Sequence, residues 1–104
     1  MPTTTIDGRT IQVDDEGYLT EYADWNDELA VRLAGRIGIE LTDAHRAVLQ
    51  FLRNDYRVRG ETPTLRRVAA GTGVPVKQLF ALFPGKPAKK MAYIAGLPKP
   101  RGCV

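Results

Sequence analysis

The chain has 104 residues, 43% of them hydrophobic and 26% charged, with a net charge of +3; this is enough for one core and has the composition of an ordinary globular domain. No stretch approaches the ~18 consecutive apolar residues of a membrane span, and the polar start MPTTTIDGR lacks signal-peptide character, so the expected location is cytoplasmic. One cysteine and one histidine exclude an internal disulfide and leave no ligand set for a metal centre.

Thr3 to Val13 reads as a β-hairpin, because the β-branched runs TTTI and RTIQV flank Asp7-Gly8, a dipeptide suited to the positive φ angles of a tight turn. DDEGYL then turns the chain toward a first helix over about 25–37. Asp24 is its expected N-cap, and Trp25, Leu29, Leu33 and Ile37 form a stripe of period four. A second helix is expected over about 43–58, capped by Thr42, burying Val48, Leu49, Leu52 and Tyr56 and ended by Gly60. A short third helix, about 65–71, is broken at Gly73. Pro75 precedes a fourth, about 76–83, carrying Leu79, Phe80 and Phe83. Pro87 opens a fifth, about 88–95, with Met91 and Ile94 inward and Gly96 as its stop.

After Gly96 the pattern ends. Residues 97–104, Leu97-Pro98-Lys99-Pro100-Arg101-Gly102-Cys103-Val104, contain two prolines that remove N–H donors and hold their neighbours extended. The expected organisation is a single domain over 1–96 and then a mobile arm that swings at Gly96 and pivots at Gly102. Seven residues from Gly96 to Cys103 give the thiol a reach of at most roughly 23 Å. Lys99 and Arg101 favour a thiolate at Cys103 and the terminal carboxylate opposes it, so the thiol should stay near its ordinary range with a minor thiolate fraction. That suits a carrier activated by a partner. An incidental tail cysteine, or one tucked into a groove, fits the position as well.

Charge divides along the chain. Residues 1–60 hold seven Arg against eleven Asp and Glu, and residues 61–104 hold eight Lys and Arg against Glu61 alone. The C-terminal half is therefore suited to an anionic partner, RNA, DNA or an acidic protein surface, unless it is simply a solvated face. TLRRVAAGTGVPVKQLFALF, residues 64–83, has the look of a helix-turn-helix, with Arg66, Arg67, Lys77 and Lys86 as candidate phosphate contacts; a plain corner between two helices gives the same pattern. Asp14, Asp15 and Glu16 read as a solvated turn, and His45 has no identifiable partner. The absence of serine and of a phosphate-cradling glycine loop argues against an ordinary hydrolase or nucleotide-binding enzyme.

LFPGKPAKKMAYIAGLPKPRGCV, residues 82–104, resembles the C-terminus of the DsrC/TusE family of sulfur carriers. DEGYL, DWNDELA and GIELTDAHRAVLQFLRNDY agree in order, so the resemblance covers nearly the whole chain. It implies a mainly α (α+β) fold, a small orthogonal helical bundle with an N-terminal β-hairpin and a flexible C-terminal arm. It also implies that Cys103 carries sulfur as a covalent persulfide without a cofactor, and that Gly96, Leu97, Pro98, Lys99, Pro100, Arg101 and Gly102 form the arm that docks on partners. Those partners are sulfur-donating and sulfur-accepting proteins of a relay; the basic C-terminal half adds indirect tRNA contact or weak nucleic-acid contact as an expectation. Members associated with dissimilatory sulfite reductase have a second cysteine where this chain has Ala92, so the resemblance is to single-cysteine, TusE-like members. Their implied role is sulfur transfer toward tRNA 2-thiouridine or within a cytoplasmic sulfur-oxidation relay; the alternatives are a helix-turn-helix nucleic-acid-binding regulatory protein and a partner of dissimilatory sulfite reductase. Such a carrier is not a stand-alone enzyme. One departure is that 64–83 is several residues shorter than in typical members.

Overall fold

A computed structural model describes residues 3–6 and 8–100. Strands β1 (Thr3–Ile6) and β2 (Arg9–Gln12) pair antiparallel with Ile6 opposite Arg9, and Gly8 takes φ +82° in the two-residue turn. A bridge between Val13 and Leu19 extends the hairpin past its ladder. Asp14 organises the intervening turn, its Oδ1 accepting the N–H groups of Glu16 at 2.9 Å and Tyr18 at 3.0 Å. Five helices complete the chain: α1 (Asp27–Arg36), α2 (Asp43–Arg59), α3 (Leu65–Thr72), α4 (Val76–Leu82) and α5 (Pro87–Ile94).

The expected elements all form, and their ends show which local groups win. Helix α1 starts two residues late, because Tyr22–Asp24 makes a 3₁₀ turn and Trp25 is extended. Asn26, not Asp24, is the cap, its side chain accepting the Leu29 N–H at 2.8 Å. Thr42 caps α2 as expected, but in a capping box whose third member is His45. His45 Nδ1 accepts the Thr42 N–H at 3.0 Å, and its Nε2–H donates to the Leu82 carbonyl at 2.7 Å, which ties the start of α2 to the end of α4. The buried imidazole thus has two partners where the sequence offered none. Gly60 and Gly73 stop α2 and α3 in left-handed conformations, and Pro87 occupies the first turn of α5.

Two cores share a wall. Val48, Leu49 and Leu52 of α2 meet Val68, Leu79, Phe83, Met91 and Ile94 in the larger one. Ile6, Ile11, Val13 and Leu19 of the hairpin meet Leu29 and Leu33 of α1 in the smaller one. Trp25 and Tyr93 pack against both and join them. A two-stranded ribbon is marginal alone, so the apolar face of α1 is what holds the hairpin. Of the three large apolar residues of α4, Phe80 is 46% exposed, because Leu79 and Phe83 one turn apart take the inward face and rotate Phe80 off it.

Candidate functional site

The arm begins in a lock, not a hinge. Gly96 has φ +71°, its N–H donates to the Tyr93 carbonyl at 3.3 Å, and the Leu97 N–H donates to Ala92 at 3.0 Å. This is the Schellman pattern, which ends a helix with a left-handed glycine and an apolar residue after it. Leu97 accordingly lies in the main core at 0% exposure. A Cβ on Gly96 would stand 2.6 Å from Trp25 Cδ1 and 2.9 Å from Leu19 Cδ2. Glycine is needed there for close packing as well as for conformation.

The last carbonyls of α5 are gripped from the side. Trp25 Nε1–H donates to Ile94 O at 2.8 Å, and Arg53 Nη1 donates to Ala95 O at 2.9 Å. Arg53 Nη2 reaches Tyr22 O at 2.9 Å, and the guanidinium lies 3.8 Å from the Tyr22 ring centroid and 4.3 Å from the Trp25 ring. Tyr22 stacks on Tyr56 and donates its hydroxyl to Arg53 O at 3.0 Å. Orphan carbonyls at a helix C-terminus are the negative end of its dipole, so a cation held between aromatic faces satisfies both charge and hydrogen bonding. Burial pulls the Arg53 guanidinium below its ordinary value, with Tyr22 opposing; an arginine stays cationic under such a shift.

Beyond Leu97 the arm runs over the surface of the domain. Thr62 Oγ1 donates to Pro98 O at 2.8 Å, Lys99 Nζ pairs with Glu16 at 3.1 Å, and Pro100 is buried. Packing continues through Leu97, past the expected boundary between 96 and 97, and Pro100 is still buried. Gly96 cannot swing without emptying the Leu97 site. Arg101, Gly102 and Cys103 lie outside the described residues.

Arg53 and Asp55 were missed by the sequence reading, and both are buried. The signal was present for Arg53: Leu49, Leu52, Arg53 and Tyr56 lie at i, i+3, i+4 and i+7, so the arginine falls on the buried face. Asp55 accepts Arg67 bidentately at 2.7 and 2.9 Å and lies 3.5 Å from Arg59. Arg67 hydrogen bonding, with help from Arg59, holds the Asp55 carboxyl below its ordinary value against the effect of burial. Arg67 is thereby committed to α2 and is withdrawn from the set of candidate phosphate contacts; Arg66, Lys77 and Lys86 remain exposed.

A family model described as "DsrC like protein" matches residues 5–104. The chain is 34% identical to the dissimilatory-type sulfite reductase subunit gamma of Nitratidesulfovibrio vulgaris over 105 residues, covering 100% of both chains. It is 38% identical to the sulfurtransferase TusE of Pectobacterium atrosepticum over 106 residues, covering 95% of this chain and 97% of that one. The NMR structure of Allochromatium vinosum DsrC superimposes with a TM-score of 0.85 at 38% identity, covering 98% of this chain and 97% of that one. The subunit gamma alignment leaves no room for a missing loop of several residues, whereas the TusE alignment runs over 106 residues with only 95% of this chain and so leaves several positions unmatched, as the expected shortening requires. Hairpin, five helices and their order agree with the solved structure, and the chain belongs to the DsrC-like family.

Proposed function

We propose that this protein is a sulfur-relay carrier in which Cys103 accepts sulfur as a persulfide and delivers it to a separate acceptor. Relatives named sulfurtransferase and sulfite reductase subunit support the relay role. The observation that carries the finer reading is the arm itself: a lone thiol five residues past Pro98, the last point at which Trp25, Arg53 and Thr62 hold the chain. Anchoring offsets part of the ordering entropy before any partner arrives, and the two prolines stiffen the segment that leads to the thiol.

The chemistry is displacement at sulfur. The Cys103 thiolate attacks the outer sulfur of a donor persulfide, the donor S–S bond breaks, and its electron pair leaves on the donor thiolate. An acceptor nucleophile then attacks the terminal sulfur of Cys103–S–S⁻ and releases the Cys103 thiolate, with no net redox change. Because Ala92 removes the second thiol, the sulfur cannot be closed into an intramolecular bridge and must leave on another molecule. That favours onward delivery, as in tRNA 2-thiouridine formation, over a cycle at dissimilatory sulfite reductase. Delivery within a sulfur-oxidation relay uses the same steps.

Intact-protein mass spectrometry after incubation with a persulfide donor tests this. Wild type should gain one sulfur, and Cys103→Ser should gain none while keeping its circular dichroism. Equal loading of the two proteins, or none in wild type, sinks the reading.

A further inference from the structure

Helix α5 breaks a rule of helix stability. Its positive end carries Lys86 at the cap, Lys89 and Lys90 in or next to the first turn, and no acidic residue. Cations there oppose the helix dipole. Lys90 finds a local solution by donating to the Pro84 carbonyl. Among the described residues, Lys86, Lys89 and the exposed Arg36 of α1 have no ion pair or hydrogen bond from their side chains.

These cations rim one cleft of about 550 Å³, whose inner wall is formed by Tyr18 and Tyr93. The size is that of a pocket for a few side chains, well short of a docked globule. The two rings meet edge to face at 6.1 Å, and Tyr18 is 7% exposed. Glu16 is the one carboxylate lining the cleft, and it is taken by Lys99 of the arm. Burial raises the Tyr93 phenol above its ordinary value despite Arg36, which keeps that ring neutral. The cleft is thus a positive rim around a neutral aromatic floor, and the arm crosses its edge through Lys99.

We propose that this cleft is the docking point for a protruding acidic segment of the protein that exchanges sulfur with Cys103. Carboxylates of that segment pair with Lys86, Lys89 and Arg36, and an apolar side chain covers the tyrosine floor. Nucleic acid fits less well, because base stacking needs open ring faces and these rings are turned against each other and largely buried. The positive charge also sits on a concave rim, where single-stranded phosphates would need an extended groove. Lys99 of the arm reaches Glu16 on the cleft lining, so a partner seated here also meets the arm. The pairing of Glu16 with Lys99 links the two events, since an arriving carboxylate competes for Lys99 and loosens the arm's hold on the domain. The identity of the partner as a sulfur-exchange protein rests on the carrier reading above; the ligand chemistry of the cleft does not.

The test is fluorescence polarisation of the full chain with a labelled peptide of alternating Glu and Leu, competed by a short single-stranded RNA of equal charge. Wild type should bind the peptide. Lys86→Glu/Lys89→Glu should weaken binding by at least about tenfold, the scale of a lost pair of complementary charges. Glutamate suits the positive end of α5, so that loss cannot be ascribed to a weakened helix. Arg66→Glu/Lys77→Glu, on the neighbouring α3–α4 surface, should bind like wild type. No peptide binding by wild type, an equal loss in the Arg66/Lys77 variant, or displacement of the peptide by RNA at lower concentration overturns the proposal. Loading of Cys103 from a small polysulfide needs no docking and should be the same in wild type and Lys86→Glu/Lys89→Glu. Failure of that loading in wild type would remove the carrier reading and leave the peptide result to be judged alone.

Discussion

Gly96 and Arg53 decide how the arm leaves the domain. At Gly96 the left-handed φ and the 2.6 Å approach of Trp25 to any Cβ act together. Gly96→Ala should therefore lower stability by about 1–3 kcal/mol, the cost of holding a side chain in a strained backbone region. Chemical denaturation would show it as a lower midpoint at unchanged slope. Arg53→Leu keeps apolar contact with Tyr22 and Trp25 but leaves the carbonyls of Ala95 and Tyr22 unpaired. Loss of a buried partner costs about 1–3 kcal/mol, and the Trp25 fluorescence spectrum should shift with it. Both residues were visible in the sequence, Gly96 as a helix stop and Arg53 on the apolar register of α2. What each touches was not, because Trp25 and Ala95 are 28 and 42 residues from Arg53 along the chain.

Between elements, the Asp55 carboxylate fastens α3 to α2 through Arg67, with Arg59 one turn on. Its folded value is held below the ordinary one, chiefly by Arg67. A depressed acid binds protons more readily in the unfolded chain, so its contribution is fully present above the ordinary aspartate value of ~3.9 and is lost as pH falls through the lower folded value. Thermal melts between about pH 2 and pH 7 should show the wild-type Tm falling on the acid side. Asp55→Asn should start from a lower Tm at neutral pH and fall less steeply. An acid limb unchanged in that variant would place the pH dependence elsewhere. His45 acts at the same scale, joining α2 to the end of α4 through Leu82. The capping box was half legible, since Thr42 announces the cap but histidine is not its usual third member.

At the level of the whole molecule, a negative N-terminal half and a positive C-terminal half meet at the arm through an ion pair. Glu16 and Lys99 are 83 residues apart in the chain and 3.1 Å apart in space. The four cations of the cleft come from α1 and from the start of α5, so no single run of sequence displays them. The described arm and the candidate docking cleft thus meet at the Glu16–Lys99 pair.

Local signals in the chain were enough to set the elements: five helices and a hairpin, with stops at Gly60, Gly73 and Gly96 and starts at Thr42 and Pro87. Such signals rest on backbone freedom, capping groups and periodicity within a few residues, so they can be read without knowing the fold. The same is true of the single thiol placed next to the chain's end. That Leu97 belongs to the core, that Arg53 is buried between aromatic rings, and that the arm runs along the domain through Pro98, Lys99 and Pro100 emerged only on folding. Those outcomes depend on which distant carbonyl, ring or carboxylate lies opposite, and packing is what sets that.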